Sequence, residues 1–318
     1  MRIVVLDGQT LNPGDNPWDD IAALGQLTLY DRTPPESVVP RGRDAEVIVT
    51  NKTPLREPEL AAMPHVRLIA VTATGYNIVD TDAARRRGID VVNVPVYGTD
   101  SVAQFVFALL LHHCHNVAHH HQAVQRGQWA VTGNFSFWET PQTELAGLTL
   151  GVVGFGRIGR RVGELGHAFG MSVIACDPRA DEPPAYAPFA WATLPEVFAG
   201  ADIVSLHCPQ TPENTRFVNR ALLAQMRPGA VLVNTARGGL VDETALVEAL
   251  SLGRPATALL DVGEREPLPA DSPLLGVPNL VLTPHMAWAS LAARRRLMAM
   301  TAANLRAFID GRPINVVN

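Results

Sequence analysis

Arg237, Glu266 and His285 stand in the segments VNTARGGLVDE, LDVGEREPLP and TPHMAWAS, each just beyond a short run of β-branched or aliphatic residues. An arginine, a carboxylate and an imidazole at the ends of strands form a set that can hold an anion and donate a proton. Hydride transfer to a carbonyl needs both functions: a proton donor for the developing alkoxide and, for an acidic substrate, a cation for its carboxylate. Carboxyl ends of parallel strands are where such groups converge. Singly, each has an ordinary explanation. An arginine can cap a helix, a glutamate before Pro267 is common loop chemistry, and a histidine in an apolar setting is most often a satisfied core residue. The combination is what points to a site.

A second constellation lies upstream. The segment LGVVGFGRIGRRVGELGHAFG places Gly154, Gly156 and Gly159 directly after a strand at 149–153, with apolar Ile158, Val162, Leu165 and Phe169 following at helical spacing. Gly154 permits a tight turn, Gly156 lets the backbone approach a pyrophosphate, and Gly159 allows close helix packing. The helix start at Arg157 and Ile158 adds N–H donors and a positive dipole end. Asp177 closes the next strand, about 20 residues on, where a carboxylate accepts hydrogen bonds from ribose hydroxyls and repels a 2′-phosphate. NAD is therefore expected rather than NADP. A glycine triplet alone is weak, since glycines also punctuate turns; strand, helix and acid in the required order make it specific.

The elements that must position these groups alternate between strand and helix. Runs at 3–6, 47–50, 68–71 and 91–94 predict one parallel sheet. Runs at 149–153, 172–176, 203–207, 231–234, 257–261 and 280–283 predict a second. Residues 101–126 read as a long hinge helix, and 127–147 as an extended arm with aromatics but no period. The segment 290–311 reads as a closing helix that returns to the first domain. The expected architecture is α/β, with two Rossmann- or flavodoxin-like doubly wound parallel sheets and a cleft between domains. Residues 1–98 plus 290–318 would be the substrate domain and 99–289 the dinucleotide-binding domain.

Composition narrows the classes. A chain of 318 residues with 47% hydrophobic and 18% charged residues suits two globular domains rather than disorder. A net charge of −5 gives no pull toward nucleic acid or anionic lipid. The longest apolar run, 105–111, is too short to span a membrane. The opening MRIVVLDG enters directly into a strand, so no export signal is expected and the location is expected to be cytoplasmic. Cys114, Cys176 and Cys208 lie far apart, which suggests neither disulfides nor a zinc site.

Taken together, GFGRIG, HCPQTPENT at 207–215, NTARGG at 234–239 and TPHMAWAS at 283–290 resemble the D-isomer-specific 2-hydroxyacid dehydrogenases nearly end to end. Segments NVPVYGTDSVAQFVFALLL and ATGYN look most like the glycerate dehydrogenase (hydroxypyruvate reductase) group. The resemblance implies an NAD-dependent reductase of a small 2-keto acid such as hydroxypyruvate or glyoxylate. Arg237 would bind the substrate carboxylate and keto oxygen through a bidentate fork. His285 would be the general acid, with Glu266 holding its ring and favouring the imidazolium. Ala73, Thr74 and Gly75 would bind the carboxylate through backbone N–H groups. Asp261 would orient the nicotinamide carboxamide, while His207, Cys208, Pro209, Thr235 and Ala236 would follow the cofactor. The loop reads TGYNIVD where many relatives have GVDNVD, a departure that bears on substrate preference.

Other readings are weaker. The sole lysine, Lys52, has Ile48 four residues before it, so the Tyr-x-x-x-Lys pair of short-chain dehydrogenases is missing. Loop 72–77 lacks a cation for a phosphate, against a phosphoglycerate substrate; a lactate-type preference stays open, and a corepressor-like NAD-sensing protein ranks below both. His112, His113, His115, His119, His120 and His121 resemble a metal cluster, yet no nearby acid completes a HExxH-like set, so no metal is expected. They are read as lining a subunit interface; Trp129, Phe135, Phe137 and Trp138 in the arm are either interface anchors or substrate-domain cover, and the resemblance favours a homodimer. Lys52 follows the strand at 47–50 and either leans over the substrate mouth or is simply solvated.

Overall fold

In the computed structural model, which describes residues 1–180 and 182–318, the strands form two all-parallel sheets. The chain divides into two compact units, Met1–Gly98 with Trp288–Asn318, and Thr99–Ala287.

In the first unit β1 (Arg2–Val5), β2 (Gln26–Leu29), β3 (Val47–Thr50), β4 (Leu68–Val71) and β5 (Asp90–Val92) lie in the order β2-β1-β3-β4-β5. This is the flavodoxin-like doubly wound order. Strands β3 and β4 are buried at every position, which is why they read as unbroken apolar runs. The helix Leu291–Ile309 covers one face, setting Leu297, Met298 and Leu305 against Ile3, Val5, Val47 and Leu68. Each such leucine contributes about 1.5–3 kcal/mol by leaving water. Ser290 caps its N-terminus by accepting from the Ala293 N–H at 3.2 Å.

The second unit holds β6 (Thr149–Val153), β7 (Ser172–Cys176), β8 (Phe189–Trp191), β9 (Ile203–Leu206), β10 (Val231–Asn234), β11 (Thr257–Leu260) and β12 (Leu280–Leu282). Their order is β12-β11-β10-β9-β6-β7-β8. Counted within the unit this is 3-2-1-4-5-6 with a seventh strand added, so the order reverses between β6 and β9.

Several expectations need revision. The stretch 101–126 is two helices, Thr99–His115 and Val117–Gln125, broken where Asn116 adopts a left-handed φ of 44°. The arm contains a short helix, Gln128–Thr132. Two edge strands, β2 and β8, were not anticipated. The first unit resumes at Trp288 rather than 290, where the Trp288 ring meets Tyr97 edge-on at 6.2 Å.

Candidate active site

The glycine turn sits at the switch point. Gly154 has φ +90°, a conformation other residues rarely adopt, and a Cβ there would meet the Cys208 backbone nitrogen at 2.5 Å. At Gly159 a Cβ would run into the Gly154 carbonyl, whereas at Gly156 it would meet nothing within 4 Å. The helix Arg157–Ala168 is therefore clamped to β6 at Gly159, while the face over Gly156 is open and the first-turn N–H groups have no acceptor inside their own helix. Asp177 braces the turn: Oδ2 accepts from the Phe155 N–H at 2.7 Å and Oδ1 from the Arg179 N–H at 2.8 Å.

Across the switch point the loop after β9 supplies the facing wall. The His207 N–H donates to the Val153 carbonyl at 2.7 Å, and its ring lies 2.8 Å from the Ser205 hydroxyl. The residue is half-buried, yet desolvation of the ring pushes its pKa down to about 3, so it is neutral. Burial pushes the Cys208 thiol up to about 11, so it is no nucleophile at neutral pH. The Pro209 carbonyl accepts from the Asn214 side chain at 2.8 Å. After β10, Thr235 is buried and its Oγ1 has no partner among the described residues. An open glycine face, free helix-terminal N–H groups, a carboxylate at the end of the next strand and an orphaned hydroxyl fit a dinucleotide.

Arg237, Glu266 and His285 follow β10, β11 and β12, three neighbouring strands in register at Asn234, Leu260 and Leu282. The Asn234 side chain fixes the arginine turn at both ends, accepting from the Ala236 N–H at 3.0 Å and donating to the Arg237 carbonyl at 2.9 Å. The next residue, Gly238, has no room for a Cβ, which would collide with the carbonyl of Gly263. Gly263 in turn donates its N–H to Glu266 Oε1 at 3.2 Å, and Glu266 Oε2 lies 2.6 Å from His285 Nδ1. The contact chain from arginine loop to imidazole is continuous.

His285 itself sits at φ +53°, a strained backbone that persists only where its surroundings over-determine it. Asp261 does so. Its carbonyl accepts the His285 N–H at 2.8 Å, Oδ1 accepts the Thr283 hydroxyl and the Met286 N–H, and Oδ2 accepts the Ala287 N–H. Burial raises the Asp261 pKa, and these hydrogen bonds and His285 oppose the rise. The residue is 0% exposed, its carboxylate enclosed beneath the histidine turn. Asn234, Gly238, Gly263 and Thr283 were not singled out from sequence; the glycines in ARGG and DVG were the available signal.

In the first unit, the loop after β4 carries Ala73, Thr74 and Gly75. The Ala73 carbonyl accepts from the Val94 N–H at 3.1 Å and the Thr74 carbonyl from the Asn93 side chain at 2.8 Å. The N–H groups of 73–75 have no acceptor among the described residues. With carbonyls drawn back and N–H groups left over, the loop has the polarity of an anion nest.

Three histidines of the 112–121 cluster bond to the arm. His119 pairs with Glu139 at 2.7 Å, His120 accepts the Glu139 N–H at 3.0 Å, and His115 meets Gln142 at 3.2 Å. They fasten the arm, and no group of three metal-ligating side chains occurs among the described residues.

Residues 107–287 match the family model described as D-isomer specific 2-hydroxyacid dehydrogenase, NAD binding domain. The chain is 44% identical to a hydroxypyruvate reductase of Blautia hydrogenotrophica, covering 100% of both chains. It is 37% identical to a glycerate dehydrogenase of Methylorubrum extorquens, over 99% of this chain and 98% of that one. Among solved structures, a D-lactate dehydrogenase from Aquifex aeolicus complexed with NAD and lactic acid superposes with a TM-score of 0.83 at 29% identity, covering 98% and 96% of the two chains.

Proposed function

The chain belongs to the D-isomer-specific 2-hydroxyacid dehydrogenases, and on that premise we propose that it reduces a small 2-keto acid, hydroxypyruvate or glyoxylate, to the D-2-hydroxy acid. Membership makes it an NAD-dependent oxidoreductase of CH–OH donors. The observation that carries the site assignment is the His285–Glu266 pair at 2.6 Å, on loops packed against the Arg237 turn.

In this reading residues 1–98 with the closing segment form the substrate domain. Its 73–75 loop is assigned the substrate carboxylate, and Arg237 is assigned the carboxylate and keto oxygen. Gly154, Gly156, Arg157, Ile158, Gly159, Asp177, the 207–209 loop, Thr235 and Ala236 hold the dinucleotide, which when bound supplies a hydride from its reduced nicotinamide. His285 gives the Nε2 proton to the carbonyl oxygen as that oxygen receives the π electrons of the C=O bond. Glu266 fixes the ring through Nδ1 and balances the imidazolium charge. Asp261 is a positioning residue that holds the left-handed turn of His285.

No helix of the described residues is long and apolar enough to cross a membrane. A homodimer is supported by the arm, where Phe135 is 96% exposed beside exposed Val131 and Trp138, and by a recess of about 620 Å³ lined by Ala108, Leu111, Val117 and Ala118. The test is NADH oxidation by the purified protein with hydroxypyruvate, glyoxylate, pyruvate and 3-phosphohydroxypyruvate. Turnover of hydroxypyruvate or glyoxylate is expected, and inactivity toward both overturns the reading.

A further inference from the structure

The segment HCPQTPENTR, beyond β9, ends where Arg216 takes a left-handed backbone, φ 53°. In a residue with a side chain such a conformation persists only where neighbours fix it. The bonds that fix it run to the arginine turn. The Arg216 N–H donates to the Gly239 carbonyl at 2.8 Å, the Val218 N–H to the Leu240 carbonyl at 3.1 Å, and the Asp242 N–H to the Val218 carbonyl at 3.1 Å. Residues 216–218 and 239–242 thus run side by side, with Val218 and Val241 in a parallel bridge. The Gln210 amide lies over Gly239 as well, where a Cβ would collide with it.

The Arg216 side chain goes to a different loop. Its Nε and Nη2 donate to Glu264 Oε1 at 3.0 and 2.6 Å. Glu264 in turn donates its N–H to Glu243 Oε1 at 2.7 Å, in the first turn of the helix Glu243–Ser251. Glu264, with Asp242 and Glu243 adding to it, raises the Arg216 pKa. Gly263, one residue before, abuts Gly238 and donates to Glu266, the partner of His285. The 263–266 loop is therefore held by contact at Gly238 and by hydrogen bonds at Arg216 and Glu243. Both members of the ion pair are partly exposed, and a surface pair by itself adds little stability. A guanidinium fork fixes direction instead, because its planar donors accept few geometries.

We infer that Arg216 is a positioning residue for proton transfer: paired with Glu264, it holds the 263–266 loop so that Glu266 stays against His285. The inference rests on the reading of His285 as the proton donor. Glu266 and Asp261 are the carboxylates that bear on the imidazole. Asp261 is tied to Thr283, Met286 and Ala287 and takes no support from the 263–266 loop. Loss of Arg216 leaves Asp261 where it is and frees Glu266, so the imidazolium loses the carboxylate that meets its Nδ1.

Rates of hydroxypyruvate and glyoxylate reduction by NADH from about pH 5 to 10 test it, with Arg216→Met, Arg216→Lys, Glu264→Gln and the Arg216→Met/Glu264→Gln double variant. A proton donor must be protonated, so kcat/KM for reduction falls on the alkaline side. Arg216→Met is expected to lower kcat by about tenfold or more and to move the alkaline limb down by about half a pH unit or more. Glu264→Gln should act in the same direction, and it carries the test by itself if Arg216→Met does not fold. The double variant should lose less than about twofold beyond Arg216→Met, because the two residues act through one contact. Arg216→Lys should recover part of both the rate and the limb. A merely structural role would lower the urea midpoint and leave the limb in place. An unmoved limb in both single variants, or losses that multiply in the double variant, overturns the inference alone. A wild type without turnover of either acid, or without an alkaline limb, overturns the reading of His285 and the inference with it.

Discussion

Gly238 and Gly263 meet backbone to backbone, so closely that neither loop could pass the other if residue 238 carried a Cβ. The contact joins the turn after β10, which bears Arg237, to the loop after β11, whose Gly263 N–H holds Glu266. It is the structural link between the Arg237 turn and the loop that holds Glu266.

Gly238→Ala is accordingly expected to separate the two loops by several tenths of an ångström or more. A displacement near 1 Å costs about 10²-fold in rate. The variant should lose most of its kcat/KM for 2-keto acids, while dinucleotide affinity, assigned here to the turn at 154–159, changes little. Equal activity of variant and wild type would show that the contact does not set the geometry of the site.

His285→Ala removes the proposed proton donor but leaves the glycine turn and Asp177 untouched. A fall in kcat of about 10²–10⁴-fold is expected, with the Kd for NADH near its wild-type value by fluorescence titration. A comparable loss of NADH binding would contradict the assigned role. Because reduction takes up one proton, the equilibrium should also shift toward the hydroxy acid as pH falls, measurable from end-point absorbance of NADH.

Asp177 spends one hydrogen bond on Phe155 and one on Arg179, and in the proposed site its charge repels a 2′-phosphate. Asp177→Ser should raise the ratio of kcat/KM for NADPH over NADH by about tenfold or more. Selectivity that stays at the wild-type value would remove Asp177 from cofactor choice.

His207 is held neutral, its folded pKa of about 3 lying below the ordinary 6.5. In that window the unfolded chain binds a proton that the folded chain does not. The histidine's contribution to stability is therefore fully present above pH 6.5 and is lost as pH falls toward 3. Between about pH 6 and 4 the wild type should lose stability on acidification faster than His207→Asn, by up to ~1.4 kcal/mol per pH unit. Urea midpoints of both proteins across this range check the sign; parallel curves would rule it out.

Much of the fold was legible because one element at a time carried its own signal. Strands β3 and β4 are buried on both faces, so their apolar runs stand out. Strands β2 and β8 did not: β2 is an edge strand that is mostly solvent-facing, and β8, Phe189–Trp191, has only three residues, too few to show a period. The break at Asn116 was hidden for a different reason: a left-handed residue interrupts a helix without changing its hydrophobic period. The pairing of His119 with Glu139 was hidden because the two lie 20 residues apart and Glu139 sits in a segment with no period.

By itself the sequence determined the glycine turn, the acid at Asp177 and the identities of Arg237, Glu266 and His285. These rest on local chemistry: which residue tolerates φ +90°, which side chain carries a charge, and which follows a strand. Tertiary structure alone decided that β10, β11 and β12 lie side by side, that Gly238 abuts Gly263, and that Asp261 turns inward to hold His285. Those relations depend on strand order and on contacts between residues far apart in the chain, where burial and hydrogen bonding are settled by packing rather than by any residue's own preference.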